Sequence, residues 1–376
     1  MSTVNSILLS DFVLLQRGYD LPKSQRKDGT VPVVASTGIV GYHNEAKVAG
    51  PGVVIGRSGS IGGGQYIEED FWPLNTTLWA KDFKGNNPRF TYYLLKSIDF
   101  TRFNAGAGVP TLNRNHIASL RIRPFSRAEQ DHIAEVLAAY DDLIENNRRR
   151  IQLLEQAARL LYREWFVHFR FPGHEHTRII EGVPEGWVRG TIGDLGEVIT
   201  GKTPSKKKPE YFGSDLPFIK TPDMHGNAIV VNTEESLSEE GAKTQAKKTL
   251  PPRSILVSCI GTVGAVAFNA SPAQTNQQIN SIVPKNDLVR YWAYFMAKEL
   301  KPLLEGMGGG ATMANVNKSK FSRISVVIPS KQLLILFSNF AKPVFDQIEN
   351  LSISNARLAK ARDLLLPKLM NGEIAV

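Results

Sequence analysis

Two long segments of the chain place apolar side chains at steps that alternate between three and four residues. This spacing is the heptad seam of a coiled coil, and it predicts a helix longer than an ordinary surface helix. We expect the first such helix at residues 126–168, with one polar interruption at Asn147. Its seam positions are Ile133, Leu137, Tyr140, Ile144, Asn147, Ile151, Leu154, Ala158, Leu161 and Trp165.

The second segment covers residues 331–376, and its seam is weaker because Asn355 and Arg362 fall within it. Pro343 predicts a kink or a delayed start, since proline removes a helix hydrogen bond. The seam positions are Phe337, Ala341, Val344, Ile348, Leu351, Asn355, Leu358, Arg362, Leu365 and Leu369.

The two seams most simply pack against each other. The alternative is that each helix packs only on its own domain. A whole domain between the helices must carry the chain back, which favours an antiparallel pair. In such a pair the mid-helix residues Asn147 and Asn355 should meet, and a buried polar pair fixes the register.

Short apolar runs rich in β-branched residues occupy the rest of the chain. Turn residues bound these runs, so they predict strands, and short helical patches lie between them. Each half of the chain therefore reads as a mixed α/β domain followed by a long helix. The clearest strand candidates are residues 31–34, 52–55, 254–257 and 324–328.

The two halves also repeat each other. Residues 52–55 match residues 253–256, and Ile144-Glu145-Asn146 recurs as Ile348-Glu349-Asn350. A repeat of half the chain indicates tandem duplication. We expect an α+β fold: two mixed α/β globular domains separated by two long helices that form an antiparallel coiled coil, with pseudo-two-fold symmetry. The expected segments are domain 1 at 1–125, helix 1 at 126–168, domain 2 at 169–330, and helix 2 with the C-terminal tail at 331–376.

The composition adds a partner class and a compartment. A net charge of +9 over 376 residues suits a polyanion. Cys259 is the only cysteine, so no internal disulfide is possible and a reducing cytoplasm is expected. No apolar stretch approaches the ~20 residues that span a membrane, so no membrane association is expected.

One motif suggests a different function. Residues 196–203 fit the P-loop pattern G-x-x-x-x-G-K-[ST], so a nucleotide-dependent DNA enzyme using Gly201-Lys202-Thr203 is the alternative. The motif needs a following helix to cradle phosphate, whereas Pro204 and a lysine run come next. The sequence contains no complete catalytic constellation, and we expect no catalytic residue, cofactor site or metal site.

Polar residues suited to nucleic acid are frequent in both domains. Lysine and arginine contact phosphates, whereas asparagine, glutamine and arginine read base edges. Asn75-Thr76-Thr77 and Asn276-Gln277-Gln278 occupy matching places with different side chains, which predicts two different half-sites. The candidate DNA-binding residues are Lys23, Arg26, Lys27, Arg57, Ser58, Ser60, Asn75, Thr76, Thr77, Asn113 and Arg114 in domain 1, and Lys202, Lys206, Lys207, Lys220, Ser258, Thr262, Asn276, Gln277, Gln278, Asn315 and Lys318 in domain 2.

The chain resembles the specificity (S) subunit of type I restriction–modification systems over essentially its whole length. Local signs are residues 161–166 at the end of the first helix, residues 365–374, and Pro184-Glu185-Gly186-Trp187. The resemblance implies a non-catalytic subunit with two target recognition domains that read a bipartite, asymmetric site in double-stranded DNA. It implies a helix pair that sets the spacer and recruits two modification subunits, which methylate adenine, with two restriction subunits as optional further partners.

Overall fold

The protein folds into two compact units. The computed structural model describes residues 6–106, 108–307 and 315–374. The first unit takes in the chain up to Ile144 together with the residues from Leu358 onward, and the second comprises Glu145–Arg357. Within the described ranges no helix is long and apolar enough to cross a membrane.

The first unit is built on two small sheets. The larger is antiparallel, with strand order β2-β8-β5-β6, and the smaller has the order β4-β3-β7. Its elements are β1 Ile7–Leu8, α1 Leu9–Phe12, β2 Leu14–Arg17, β3 Val31–Ala35, β4 Gly38–His43, β5 Gly52–Gly56, β6 Gly62–Ile67, β7 Trp72–Pro73, β8 Thr77–Asp82, α2 Pro88–Ser97, α3 Arg114–Ala118, β9 Arg121–Ile122 and the part of α4 (Arg127–Tyr162) that ends at Ile144.

The apolar run of β5 explains its central place in the larger sheet. Val53, Val54 and Ile55 are each 1% exposed or less, as expected for β-branched residues covered on both faces. Helix α2 starts where the Asn87 side chain accepts the Phe90 amide at 3.0 Å, a standard N-cap. Phe90 then packs in the core of this unit.

The second unit repeats this architecture, with one extra strand in its larger sheet. Its sheets have the orders β13-β20-β17-β18-β15 and β16-β14-β19. Its elements are the part of α4 from Glu145 onward, β10 Ile179–Ile180, β11 Val183–Pro184, β12 Val188–Thr191, α5 Ile192–Leu195, β13 Gly196–Thr200, β14 Phe212–Ile219, α6 Thr221–Met224, β15 Ile229–Val230, β16 Glu235–Leu237, α7 Glu239–Lys243, β17 Ile255–Ser258, β18 Val266–Asn269, β19 Gln274–Thr275, β20 Ile279–Pro284, α8 Arg290–Glu299, α9 Lys301–Met307, α10 Lys318–Ser322, β21 Ser325–Ile328 and the part of α11 (Lys331–Asn371) that ends at Arg357.

Backbone hydrogen bonds confirm the duplication and correct its register. The Gly18 amide donates to the Thr77 carbonyl, and the Gly201 amide donates to the Ile279 carbonyl, each at 3.1 Å. Thr77 therefore corresponds to Ile279, one residue later than the sequence comparison placed it. Runs of similar apolar residues carry no register information, because a shift of one still aligns apolar with apolar. It follows that Gln277-Gln278 match Asn75-Thr76.

The two long helices are present. Helix α4 has 36 residues and continues into a π-helical turn, Arg163–Val167, and α11 has 41 residues. The delayed start predicted from Pro343 is wrong, because α11 begins at Lys331 and remains helical through the proline. Proline leaves the Asn339 carbonyl without its helix partner, but Asn339 is exposed and water can bind there.

Contacts within each unit show that α4 and α11 run antiparallel where they meet. In the second unit, Asn147 Nδ2 donates to Asn355 Oδ1 at 2.9 Å. In the first unit, Arg362 contacts Asp141. Within the second unit the Tyr162 ring also lies 6.3 Å from the Phe337 ring, so moving forward along α4 from Asn147 to Tyr162 is matched by moving back along α11 from Asn355 to Phe337. The predicted asparagine pair is confirmed, and Asn147 is 4% exposed.

Candidate nucleic-acid interface

A polar cleft opens on the first unit at the end of β2. Its volume is about 720 Å³, and four separate segments of the chain meet there. Three of its lining side chains are arginines, which makes the cleft cationic. The lining residues are Gln16, Arg17, Gly18, Tyr19, Asp20, Arg57, Leu78, Ala105, Thr111, Leu112, Asn113 and Arg114.

Arg57 is the most firmly held of these arginines. Its amide donates to the Thr76 carbonyl at 2.9 Å, and its carbonyl accepts the Leu112 amide at 2.7 Å. Its guanidinium is partly buried, and Nη1 donates to the Asn75 carbonyl at 3.3 Å. The Asn75 side chain in turn donates to Asp20. The backbone of Arg57 is therefore held on both sides, and one nitrogen of its guanidinium is tethered.

Arg17 and Arg114 are exposed. Within the described part of the chain, neither they nor Arg57 forms an ion pair, so their charges are available to an anionic ligand. Sequence reasoning missed Arg17, because it ends a strand and nothing in the local sequence links it to Arg57 or Arg114. Its position directly before Gly18, at the start of the repeated turn, is the signal that could have identified it.

The remaining candidates of the first unit are less concentrated. Ser58 lies beside the cleft, where it forms a bridge with Thr111, and Ser60 is exposed. The structure does not bring Lys23, Arg26 and Lys27 into the cleft lining. Arg26 Nη1 instead donates to the Val40 carbonyl of β4 at 3.1 Å.

Several predicted DNA contacts are structural. Thr77 and Ser258 have no exposed surface; the Thr77 hydroxyl donates to the Leu74 carbonyl, and Ser258 Oγ accepts the Ala265 amide. Their assignment to DNA is wrong, because residue type does not show which face of a strand a side chain occupies. Asn113 is exposed, but its side-chain oxygen caps α3 by accepting the Asn115 amide.

In the second unit, one side chain of the Asn276-Gln277-Gln278 turn is fully presented to solvent. Asn276 is 8% exposed and makes two hydrogen bonds to Gln278, so it stabilises the turn. Gln277 is exposed, and its Oε1 accepts the Thr203 hydroxyl at 2.7 Å. That bond leaves the Gln277 amide nitrogen as a hydrogen-bond donor for a ligand.

The charged members of the candidate set in the second unit are all lysines. Lys202, Lys207 and Lys318 are exposed, as are Thr262 and Asn315. Lys206 is exposed as well, and it lies 3.8 Å from a carboxylate oxygen of Glu235.

Lys220 differs from the other lysines. It pairs with Glu234 at 2.9 Å and Glu235 at 3.1 Å. Hydrogen bonding to Glu234, followed by that to Glu235, raises the pKa of Lys220 above its ordinary value against the opposing effect of burial. The sequence did not predict that these acids would neutralise Lys220, and its assignment to DNA is therefore withdrawn.

The P-loop pattern does not form a phosphate cradle. Residues 196–200 are strand β13, which pairs with β20. The Gly201 amide donates to Ile279 and the Lys202 amide to the Thr275 carbonyl at 2.9 Å, so the amides that would bind phosphate are engaged. The next helical turn is the 3-10 segment Pro209–Tyr211, too short for a helix N-terminal anion site.

Cys259 occupies the position that corresponds to Arg57. Its amide donates to the Gln278 carbonyl at 2.7 Å, and its carbonyl accepts the Val316 amide at 2.9 Å. Its side chain is 1% exposed, and burial raises the pKa of the thiol to about 11. In the described ranges, no group of three or more His, Cys, Asp or Glu side chains has an arrangement that could hold a metal ion.

The chain is similar to known proteins across both halves. Residues 1–156 and 184–342 match the family model "Type I restriction modification DNA specificity domain". A specificity subunit of the type I restriction enzyme HindI from Haemophilus influenzae is 32% identical over 355 residues, covering 76% of this chain and 77% of that protein.

Two further proteins extend this similarity. The MjaIX specificity subunit from Methanocaldococcus jannaschii is 25% identical over 299 residues, covering 76% of this chain and 69% of that one. The crystal structure of a type I restriction–modification S subunit from M. genitalium covers 98% of this chain and 97% of its own, with a TM-score of 0.59 at 17% identity. That last similarity establishes a shared fold.

Proposed function

The chain belongs to the type I restriction–modification DNA specificity family, and we propose that it reads a bipartite, asymmetric target in double-stranded DNA. In this proposal residues 1–125 and 169–330 are target recognition domains, each reading one half-site. The helices of residues 126–168 and 331–376 set the spacer. The chain itself is not an enzyme, and methyl transfer and DNA cleavage belong to partner subunits.

The observation that carries this proposal is a repeated scaffold with different side chains at matching positions. Arg57 and Asn75 of the first unit correspond to Cys259 and Gln277 of the second. Arginine pairs with guanine, whereas the buried Cys259 presents no base-reading group at the matching position, so two such surfaces suit two different half-sites. The net charge of +9 suits contact with DNA phosphates.

Helix α4 carries a surface suited to a partner subunit. Leu153 and Leu160 of α4, and Val167 of the π-helical turn that follows it, lie seven residues apart and are 58%, 65% and 43% exposed. An apolar row at heptad spacing is the pattern by which one helix packs on another. We propose that it contacts a modification subunit, two of which bind per chain, with two restriction subunits as optional further partners. The single cysteine suits assembly in a reducing cytoplasm.

An exchange of residues 169–330 for the equivalent segment of a relative with a different target tests the proposal. The exchanged chain is expressed with its modification subunits, and methylated positions are mapped by methylation-sensitive sequencing. We expect one half-site to change, while the other half-site and the number of bases between them stay the same, because both long helices are retained.

The matched control exchanges residues 1–125 and should change only the opposite half-site. An exchange that alters both half-sites, or neither, contradicts one domain per half-site. A changed spacer in a well-folded exchange variant contradicts a spacer set by the helices.

A further inference from the structure

We infer that Arg57 reads a guanine in the half-site of the first recognition domain, with Arg17 and Arg114 on flanking phosphates. This inference rests on the proposed function, and it assigns one base to one residue. The arginines come from different segments of the chain and line the same cleft.

The restraint on Arg57 favours reading a base edge. A guanidinium recognises guanine through two parallel hydrogen bonds, to O6 and N7, and this requires a fixed plane. The backbone of Arg57 is held on both sides, by Thr76 and Leu112, and its Nη1 is held by the Asn75 carbonyl. An arginine that is already oriented loses less conformational entropy on binding than a free one.

The presence of Asp20 favours a base over a phosphate as the ligand of this cleft. Asp20 lines the cleft with Arg57, and it contacts the Asn75 side chain. A carboxylate repels phosphate, but it accepts a hydrogen bond from the N4 amino group of cytosine. A guanidinium and a carboxylate in one cleft therefore complement the two members of a G·C pair. Arg17 and Arg114, by contrast, are exposed, and their charges suit contact with phosphates.

The second unit lacks this pair of groups. Cys259 replaces Arg57 and is buried in the core. By the shared register of Gly18 and Gly201, Thr203 replaces Asp20, and its hydroxyl donates to Gln277. The inference therefore concerns the first half-site alone, and the second half-site serves as an internal reference.

The test selects duplex DNA with randomised half-sites on the complex of the full chain with its modification subunits, then sequences the bound fraction. Arg57→Ala and Arg57→Lys should both lose roughly tenfold or more discrimination at one G·C position of the first half-site. Lysine is included because it retains the charge but lacks the two-pronged geometry. Arg57→Gln should shift the preference at that position toward A·T, because glutamine pairs with adenine.

Arg114→Ala is the matched control for a phosphate contact. It should weaken binding to all selected sequences alike and lower the slope of log K against log salt by about one. Thermal unfolding of each variant checks that the fold is retained, and Arg57→Lys is the variant least able to disturb it.

The inference is overturned if Arg57→Lys keeps the wild-type preference, or if Arg57→Ala behaves as Arg114→Ala does. It is also overturned if the wild-type first half-site contains no G·C position. These results leave the proposed function intact as long as the wild-type complex selects two fixed half-sites. A wild-type complex that selects no fixed sequence would instead contradict the proposed function.

Discussion

One backbone position separates the two units most clearly. Arg57 and Cys259 follow corresponding central strands, and their main chains make equivalent hydrogen bonds at 2.7–2.9 Å. The arginine side chain lines an open cleft, whereas the cysteine side chain is 1% exposed. The main chain holds each position without using the side chain. A duplicated domain can therefore keep its fold while the surface it presents changes.

The packing of each unit on its long helix shows the same principle. Ile144-Glu145-Asn146 corresponds to Ile348-Glu349-Asn350, so Asp141 of α4 matches Phe345 of α11. In the first unit, the Tyr93 hydroxyl donates to Asp141 at 2.6 Å. Burial, and then the hydrogen bond to Asp141, raise the pKa of Tyr93 well above its ordinary value.

In the second unit, Phe345 replaces the carboxylate, and aromatic rings surround it. Its ring centroid lies 5.0 Å from that of Tyr294 and 5.8 Å from that of Phe295, which is the counterpart of Tyr93. A polar pair in one unit thus corresponds to an apolar contact in the other. Buried polar groups need hydrogen-bond partners, and both units satisfy this rule. The first unit has both the hydroxyl and the carboxylate, and the second unit has neither.

Exchanging the side chains of Arg57 and Cys259 should give the largest difference in stability between the two units. Cys259→Arg places a charge where almost no surface is exposed, and we expect a loss of about 4 kcal/mol or more in the free energy of unfolding. Arg57→Cys removes one hydrogen bond at an open cleft and should cost about 1 kcal/mol or less. Urea unfolding followed by circular dichroism measures both.

Equal losses of unfolding free energy in Cys259→Arg and Arg57→Cys would contradict this prediction. They would mean that the surroundings of Arg57 and Cys259 do not differ in burial. Cys259→Ser is a useful control for steric effects. It changes the polarity of the site with almost no change in volume.

The contacts of Asp141 on α4 and of Phe345 on α11 should give a smaller but still clear difference in the free energy of unfolding. Phe345→Ala empties a fully buried aromatic site and should destabilise the protein by about 3–5 kcal/mol. Tyr93→Phe recreates in the first unit the residue of the second, and should cost about 1 kcal/mol, since only one hydrogen bond is lost. Phe340→Ala, at a residue of α11 that is 40% exposed, is the matched control and should cost far less. Similar urea unfolding midpoints for Phe345→Ala and Phe340→Ala would show that the aromatic cluster around Phe345 contributes little to stability.

The sequence predicted the helices and the duplicated architecture well for a physical reason. Heptad spacing persists over many turns, so single exceptions such as Pro343 do not obscure it. Register within the sheets was less predictable, because Val54 and Leu256 lie in runs where every neighbour is also apolar. Their correspondence became visible only through the pairing of β5 with β8 and of β17 with β20.

The sequence predicted which residue types to consider for a DNA surface, but not which individual residues are accessible. Arg57, Arg114 and Gln277 are accessible, whereas Thr77 is buried. Polar type alone cannot separate these cases, since a hydroxyl also satisfies buried main-chain groups. The approach of Arg17 to Arg57 depends on tertiary structure, because 40 residues separate them in the sequence.

Disrupting the asparagine pair between the helices should cost less stability than Cys259→Arg or Phe345→Ala, and its effect should be more specific. The Asn147 and Asn355 side chains join α4 and α11 through a hydrogen bond of 2.9 Å. We expect Asn147→Leu to cost about 1–2 kcal/mol, because it removes the hydrogen bond that Asn147 donates to Asn355. Replacing both residues by leucine should recover part of that loss, since both partners of this hydrogen bond are then removed together. A double-mutant cycle in urea should give a coupling free energy of about 0.5–1.5 kcal/mol. Additive losses would mean that the hydrogen bond does not link the helices, and the role of this pair in fixing the register would then have to be given up.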